Sequence, residues 1–462
     1  MMPFNFLLLS ADAYAEAIYA IRIAEGIFFK LNPDEGFSNF PSGYLHPFIY
    51  ALLYKLSFSN KNLFIFYIYI FNTLILILSI FVIKRFYEKF FKEKNKAPFF
   101  LLLLSPPFIF NFFLTLNFPL YVLFFYLSLY FIDNNKKFVL FFLPLIFTRP
   151  EGAILIVFYF IYKFFYRKNL NKGNFLLFFL LILLSTFPFL INKILTGYVT
   201  TLAVRAQSIF NYYDFPQAIF EGFKRFLKHL FSMIIGSPFL NIKISEYLFS
   251  LIYPPFFLIF AVFYIFKSRE NFILNVSLFF LFILILFLDS FTYFTGIHFS
   301  RHIAYFYPVL ILFFYKGIRF LPKIFLKFYI IYFSLFFLLF SLGMKHYIKE
   351  SSMLREFALK AGNLIPKKEE VLVFSDPYFF FYNMDRLRIR MLSPSFNPLV
   401  SRYTKNFKDR EKILYVIKTY YEDIRFYYLS QRDILKKDIE KFFPFILFRS
   451  DDENFLLYSR GM

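Results

Sequence analysis

Long apolar runs separated by short charged ones dominate this chain. Runs near 62–83, 97–115, 118–132, 174–192, 247–266, 271–288, 303–315 and 324–343 read as helical spans, because repeated apolar stretches of about 18 residues between charged loops mark a polytopic helical membrane protein. One further run, 138–166, is interrupted by Thr148-Arg149-Pro150-Glu151-Gly152. Its arms are too short to cross separately at ~1.5 Å per residue against ~30 Å of hydrocarbon. The pattern there predicts two half-length or tilted helices meeting near the membrane interior. Residues 12–47 break the apolar theme with Asp12, Glu16, Glu25, Asp34 and Glu35 among Gly26, Gly36, Gly43, Pro33, Pro41 and Pro47. Such a stretch is a poor anchor and a good place for a site at a membrane surface. Beyond 343 the hydropathy drops. Residues 344–365 read as an amphipathic helix, 371–376, 412–418 and 454–460 as short strands, and 421–442 as largely helical. The expected fold class is mainly α: a polytopic α-helical membrane domain over 1–343, followed by a small C-terminal α/β domain over 344–462.

Composition agrees. The chain is 59% hydrophobic and 26% aromatic, with 82 Phe, against about 45–50% apolar residues in soluble domains. The excess of Phe, Tyr, Ile, Lys and Asn reflects genomic base composition and says little about function. The formal charge of +22 points to no nucleic acid, because the Lys and Arg sit in loops between spans and not on one soluble patch. Six of them fall in 84–96, two in 133–137, four in 163–172, two in 267–270 and four in 316–327. Alternate threading puts all five loops on the cytoplasmic side, as the positive-inside rule requires. The same threading places the loops 12–61, 193–246 and 289–302, the 115–118 tip and everything after 343 outside. It leaves no span ahead of Asp12. Either the mature chain begins outside, or a first helix is encoded upstream. Residues 3–11 are too short for a span and lack a basic lead, so no cleavable signal is evident. The expected location is the inner or plasma membrane, multi-pass, with membrane lipid as solvent. Absence of Cys removes disulfides, thiolate catalysis and Cys-based metal sites.

Ionisable groups inside a membrane cost roughly 2.5–3.5 kcal/mol on insertion scales, so they usually face a cavity or a partner. Arg149 and Glu151 read either as a local ion pair bracing a Pro-broken helix or as a cavity group, Arg149 suiting an anionic substrate through its planar fork. Asp289, His298, Arg301 and His302 form a second cluster. Arg301 and His302 enter a span against the charge bias, either by snorkelling or to bind phosphate. No His/carboxylate pair has ligand spacing, so no metal is expected. Asp12, Tyr14, Glu16, Tyr19 and Arg22 are either a solvated helix start capped by Asp12, or a site in which Asp12 is a general base. Asp34, Glu35 and His46 are weaker candidates, as acceptor contacts or loop-organising groups. Arg205, Tyr212, Tyr213 and Asp214 are weaker still. The C-terminal part carries no glycine phosphate loop and is assigned no chemistry.

Several segments together resemble the GT-C class of integral-membrane glycosyltransferases, which take sugars from polyprenyl-phosphate donors. Asp12-Ala13-Tyr14, then Tyr19-Ala20-Ile21-Arg22-Ile23-Ala24-Glu25-Gly26, then Asn32-Pro33-Asp34-Glu35-Gly36-Phe37-Ser38 look like the first outer loop of bacterial members related to protein O-mannosyltransferases and the lipid A aminoarabinose transferase. Thr148-Arg149-Pro150-Glu151-Gly152 looks like the family's arginine-proline-glutamate-glycine turn, and Arg301-His302 before Tyr307-Pro308-Val309-Leu310 like its late span. The likeness runs discontinuously over 12–343. It implies a GT-C fold, a catalytic carboxylate at Asp12, and donor phosphate contacts from Arg149, Arg301 and His302. Weaker substrate contacts fall to Glu16, Asp34, Glu35, His46, Glu151 and His298. It implies no cofactor, a polyprenyl-phosphate sugar donor, and a glycan, lipid or protein acceptor. Ala11 departs from the pattern, standing where many relatives carry the first of two acids. A transporter or flippase of a lipid-linked or anionic substrate is a rival reading, although no inverted repeat is visible. So is a non-catalytic membrane scaffold.

Overall fold

The computed structural model describes residues 7–8, 10–38, 43–114, 116–168, 171–235, 254–268, 271–292, 304–430, 433–450 and 455–460. Helices dominate as far as residue 364, and a five-stranded sheet follows. Among the described residues, three helices are long and apolar enough to cross a membrane, with starts at Lys61, Lys172 and Phe272, and a bent pair gives a fourth candidate. Their outward faces are apolar and exposed, as at Leu74, Ile77 and Phe81 or Leu176 and Leu183. This is a multi-pass membrane protein.

The predicted spans reappear with altered ends. The first is Lys61–Phe91, started by the Asn60 side chain accepting from the Leu63 amide at 3.0 Å; it runs on through the basic residues the hydropathy had excluded. The second is bent by 44° between Ala97–Leu103 and Phe108–Leu114. The third is Asn117–Tyr130. The interrupted run resolves into Asn135–Thr148, a tight turn over Pro150–Ile154, then Leu155–Phe160 and a wide turn over Ile161–Tyr166. Arg149 is extended (φ −151°, ψ 120°), as the Cδ of a following proline demands.

Several expectations need correction. Much of 12–47 is helix and not loop. Ala11–Ala24 and the following Leu45–Leu56 pack on each other, and the first is almost wholly buried. Its cap is Ser10, which accepts from the Ala13 amide at 3.0 Å; Asp12 lies in the first turn instead. Phe215–Ile235, assigned to an outer loop, is a 21-residue helix lying along Phe272–Thr292. Phe226 meets Phe287 at 5.5 Å, and a Cβ on Gly222 would sit 2.4 Å from the Phe291 ring. The span read at 247–266 is helical over Phe257–Lys267, its earlier part lying outside the described residues. The last span and the amphipathic segment fuse into one helix, Lys323–Leu364, of 42 residues. At ~1.5 Å per residue it is about 63 Å long, twice the ~30 Å of a hydrocarbon core.

That helix feeds a sheet of order β2-β1-β3-β5-β4, with β1 Glu370–Val373, β2 Arg388–Met391, β3 Phe426–Leu429, β4 Phe445–Arg449 and β5 Leu456–Ser459. β1 lies parallel to β2 and β3, while β5 runs antiparallel to β3 and β4. The strand expected at 412–418 is part of a helix, Arg410–Tyr420, because Ile413, Val416 and Ile417 form a buried stripe at helical spacing and Asp409 caps it. Within 421–442, expected to be largely helical, lies the wholly buried strand β3. One apolar core fills the helical bundle. A second joins Ala11–Ala24 to one face of the sheet by way of the helix Pro377–Asn383, with Tyr14 against Tyr378, Phe381 and Tyr382.

Candidate functional site

Four segments far apart in sequence meet beside Ala11–Ala24. Ser10 Oγ donates to the Leu114 carbonyl. One turn beyond Asp12, the buried Glu16 carboxylate accepts from the Leu116 amide and from Asn117 Nδ2 at 2.7 Å. These donors lie at the N-terminus of Asn117–Tyr130, where unpaired amides and the helix dipole favour an anion. Ser10 and Glu16 thereby fasten both flanks of half-buried Asp12 to the 114–117 tip.

His46 completes that wall. It is fully buried, 3.7 Å from Glu16 through Nε2, and neither ring nitrogen makes a hydrogen bond within the described residues. Burial, reinforced by the nearby Arg149 charge, pushes its pKa down to about 3, so the ring is neutral. The Pro-broken turn stands directly against it. The Tyr44 amide donates to the Phe147 carbonyl at 2.7 Å, and a Cβ on Gly43 would lie 1.8 Å from the Thr148 oxygen. Arg149 is buried, reaches Glu151 at 3.5 Å, and stacks over the Tyr121 ring at 5.4 Å. Tyr305 closes against Tyr121 edge-on at 4.6 Å. Pairwise contacts thus link a carboxylate, a neutral imidazole, a buried cation and two phenols into one polar cluster in an apolar surround.

No family model matches the sequence, and no curated protein matches it. Among solved structures, the apo crystal structure of ArnT from Cupriavidus metallidurans aligns with 99% of this chain and 94% of its own length, at a TM-score of 0.51 and 10% identity. The same protein bound to undecaprenyl phosphate aligns over the same shares, with a TM-score of 0.48 and 10% identity. The fold is of the GT-C glycosyltransferase type.

Within this GT-C fold the structure brings Glu16, His46, Arg149 and Glu151 together, with Asp12 one turn from Glu16 along the same helix. Arg301, His302 and His298 lie outside the described residues; Tyr305, which follows them, touches the site through Tyr121. Asp34 and Glu35 go elsewhere. Both bind Arg390 of β2, Asp34 through both guanidinium nitrogens and Glu35 at 3.2 Å. Arg205 donates to Ser401 at 3.3 Å, and Tyr212 accepts from the Phe407 amide at 3.4 Å, so the weaker candidates also tie the bundle to the C-terminal part. Sequence reasoning missed Asn117, Tyr121, Tyr305 and Arg390. An Asn opening a span was a usable signal for the first. Nothing local marked the others.

The two carboxylates on Arg390 titrate in opposite senses. Hydrogen bonding from Arg390 holds Asp34 below its ordinary value of 3.8, whereas burial raises Glu35 above 4.5. The Asp34 contribution is present above 3.8 and lost as pH falls through its lowered value. The Glu35 contribution is full below 4.5 and lost as pH rises through its raised one. Acidification from neutrality to 4.5 is therefore expected to leave this contact closed, and opening is expected only below 3.8. Protease accessibility of 26–38 across a pH series checks it.

Proposed function

We propose that this protein transfers a sugar from a polyprenyl-phosphate donor to an acceptor hydroxyl on the non-cytosolic face of the membrane, with inversion. The observation that carries the reading is buried His46, which stands 3.7 Å from Glu16 of the Asp12 helix and within reach of the Arg149 charge. The GT-C fold adds support, and the solved ArnT structure with undecaprenyl phosphate suggests the donor class.

In this scheme Arg149 and Arg301 face the donor phosphate while the prenyl tail lies among the helices. Asp12 takes the proton from the acceptor hydroxyl. The acceptor oxygen then bonds to the anomeric carbon as the bond from that carbon to the phosphate oxygen breaks, and polyprenyl phosphate leaves. Arginine charge stabilises the departing phosphate, a contribution of about 2.7–4 kcal/mol for one well-placed donor. His46, neutral and buried, adds no charge to this balance, and Glu16 holds the Asp12 helix on the 114–117 tip.

The face of reaction is tested by thiol labelling, since the chain has no cysteine of its own. Pro33→Cys and Val199→Cys, both at exposed positions, are expected to react with a membrane-impermeant reagent in intact cells. Reaction of either one only after lysis contradicts the proposal.

A further inference from the structure

We propose that the C-terminal α/β part is a positioning element for the reaction, latched by Arg390 onto segment 26–38 and so onto the helix carrying Asp12. This rests on the reading given under Proposed function. It gives Asp34 and Glu35 the task of holding that latch and removes them from substrate binding.

Arg390 is buried on β2, beside β1, and its guanidinium serves three carboxylates at once. Nη1 donates to Asp34 at 3.0 Å and to Glu35 at 3.2 Å; Nη2 donates to Asp34 and, at 2.8 Å, to Glu370 of β1. One planar fork thus joins a sheet strand to a segment 356 residues away, a geometry lysine cannot reproduce. Neutral contacts repeat the join on either side. Asn32 donates to the Ile389 carbonyl at 2.8 Å, and Ser38 Oγ donates to the Phe396 carbonyl at 2.7 Å. Ser38 passes the restraint to the Asp12 helix through Tyr19, whose hydroxyl lies 2.6 Å away. At the other end of that helix the Tyr14 and Tyr382 hydroxyls meet at 2.7 Å, two residues from Asp12. Lys61, at the head of the first long span, pairs with Asp385 at 2.6 Å.

A buried cation with three acceptors makes an expensive surface brace and a good alignment device, because removing one partner strands the others. The Asp12 helix has 14 residues, a length at which a helix is marginal without tertiary packing. Its direction is set by what grips it, and the helix Pro377–Asn383, which follows β1, packs against it.

The test uses the full chain in lipid nanodiscs, with hydrogen exchange and transfer kinetics read side by side. Arg390→Gln is expected to speed amide exchange over 11–38 while β1 and β3 stay protected. The same variant is expected to lower kcat by about 10- to 100-fold, the scale of a misplacement near 1 Å, with donor KM little changed. Arg390→Lys is expected to recover part of both effects. Asp34→Asn with Glu35→Gln attacks the latch from the bundle side and is expected to reproduce them. Unchanged exchange over 11–38 in Arg390→Gln overturns the proposal. If that variant also unfolds the sheet, the Asp34/Glu35 pair decides: unchanged exchange there, or loosened exchange with unaltered kcat, overturns it equally. Absence of transfer by the unmodified protein defeats the Proposed function alone, because exchange still judges the latch.

Discussion

Asp12→Asn is expected to leave the protein folded and to lower sugar transfer by about 10²–10⁴-fold, the range for loss of a general base. The change keeps the shape of the side chain and removes its proton affinity. The first-turn position of Asp12 argues that the fold survives: Ser10 caps the helix and Glu16 anchors it, so neither job falls to Asp12. Glu16→Gln is the contrasting variant. It weakens the clamp on Leu116 and Asn117 and is expected to reduce stability as well as rate. Steady-state transfer and retention of a monodisperse peak after heating separate the two. Transfer unchanged in Asp12→Asn would take Asp12 out of the mechanism.

The second large effect is expected at Arg149. Arg149→Gln removes the buried cation and should weaken donor binding and turnover together, by about 10²-fold or more on the scale of one lost transition-state donor. Arg149→Lys keeps a charge but loses the planar fork and the stacking over Tyr121. It should fall between the wild type and Arg149→Gln. Binding of polyprenyl phosphate, measured by thermal stabilisation, checks the ground-state part of the effect. Equal donor affinity in all three proteins would mean that Arg149 only braces its turn against Glu151.

What the sequence made legible follows physical lines. The break at Thr148–Gly152 was visible because Pro150 must push Arg149 out of helical geometry, and it does. The long spans were visible because hydropathy has no other use for twenty apolar residues. Phe215–Ile235 escaped notice because Lys224, Arg225 and Lys228 dilute its hydropathy, although Ala218, Gly222 and Met233 mark a buried stripe. The Lys412–Lys418 segment looked like a strand by its β-branched residues, yet its burial follows a helical period. Arg390 could not have been foreseen, since nothing near it in the chain hints at partners in 26–38. The polar cluster was half legible. Asp12, Glu16, His46 and Arg149 stood out as polar groups among apolar ones, while Tyr121 and Tyr305 were hidden in a chain with 36 tyrosines.

The most direct measurement follows both ends of the donor at once. Purified protein in liposomes is supplied with a synthetic polyprenyl-phosphate sugar and an acceptor preparation, and the lipid products are separated by mass. The account predicts one free polyprenyl phosphate for every sugar appearing on acceptor, with inverted anomeric configuration, and loss of both in Asp12→Asn. Donor that crosses the bilayer intact, with its sugar–phosphate bond unbroken, would contradict it.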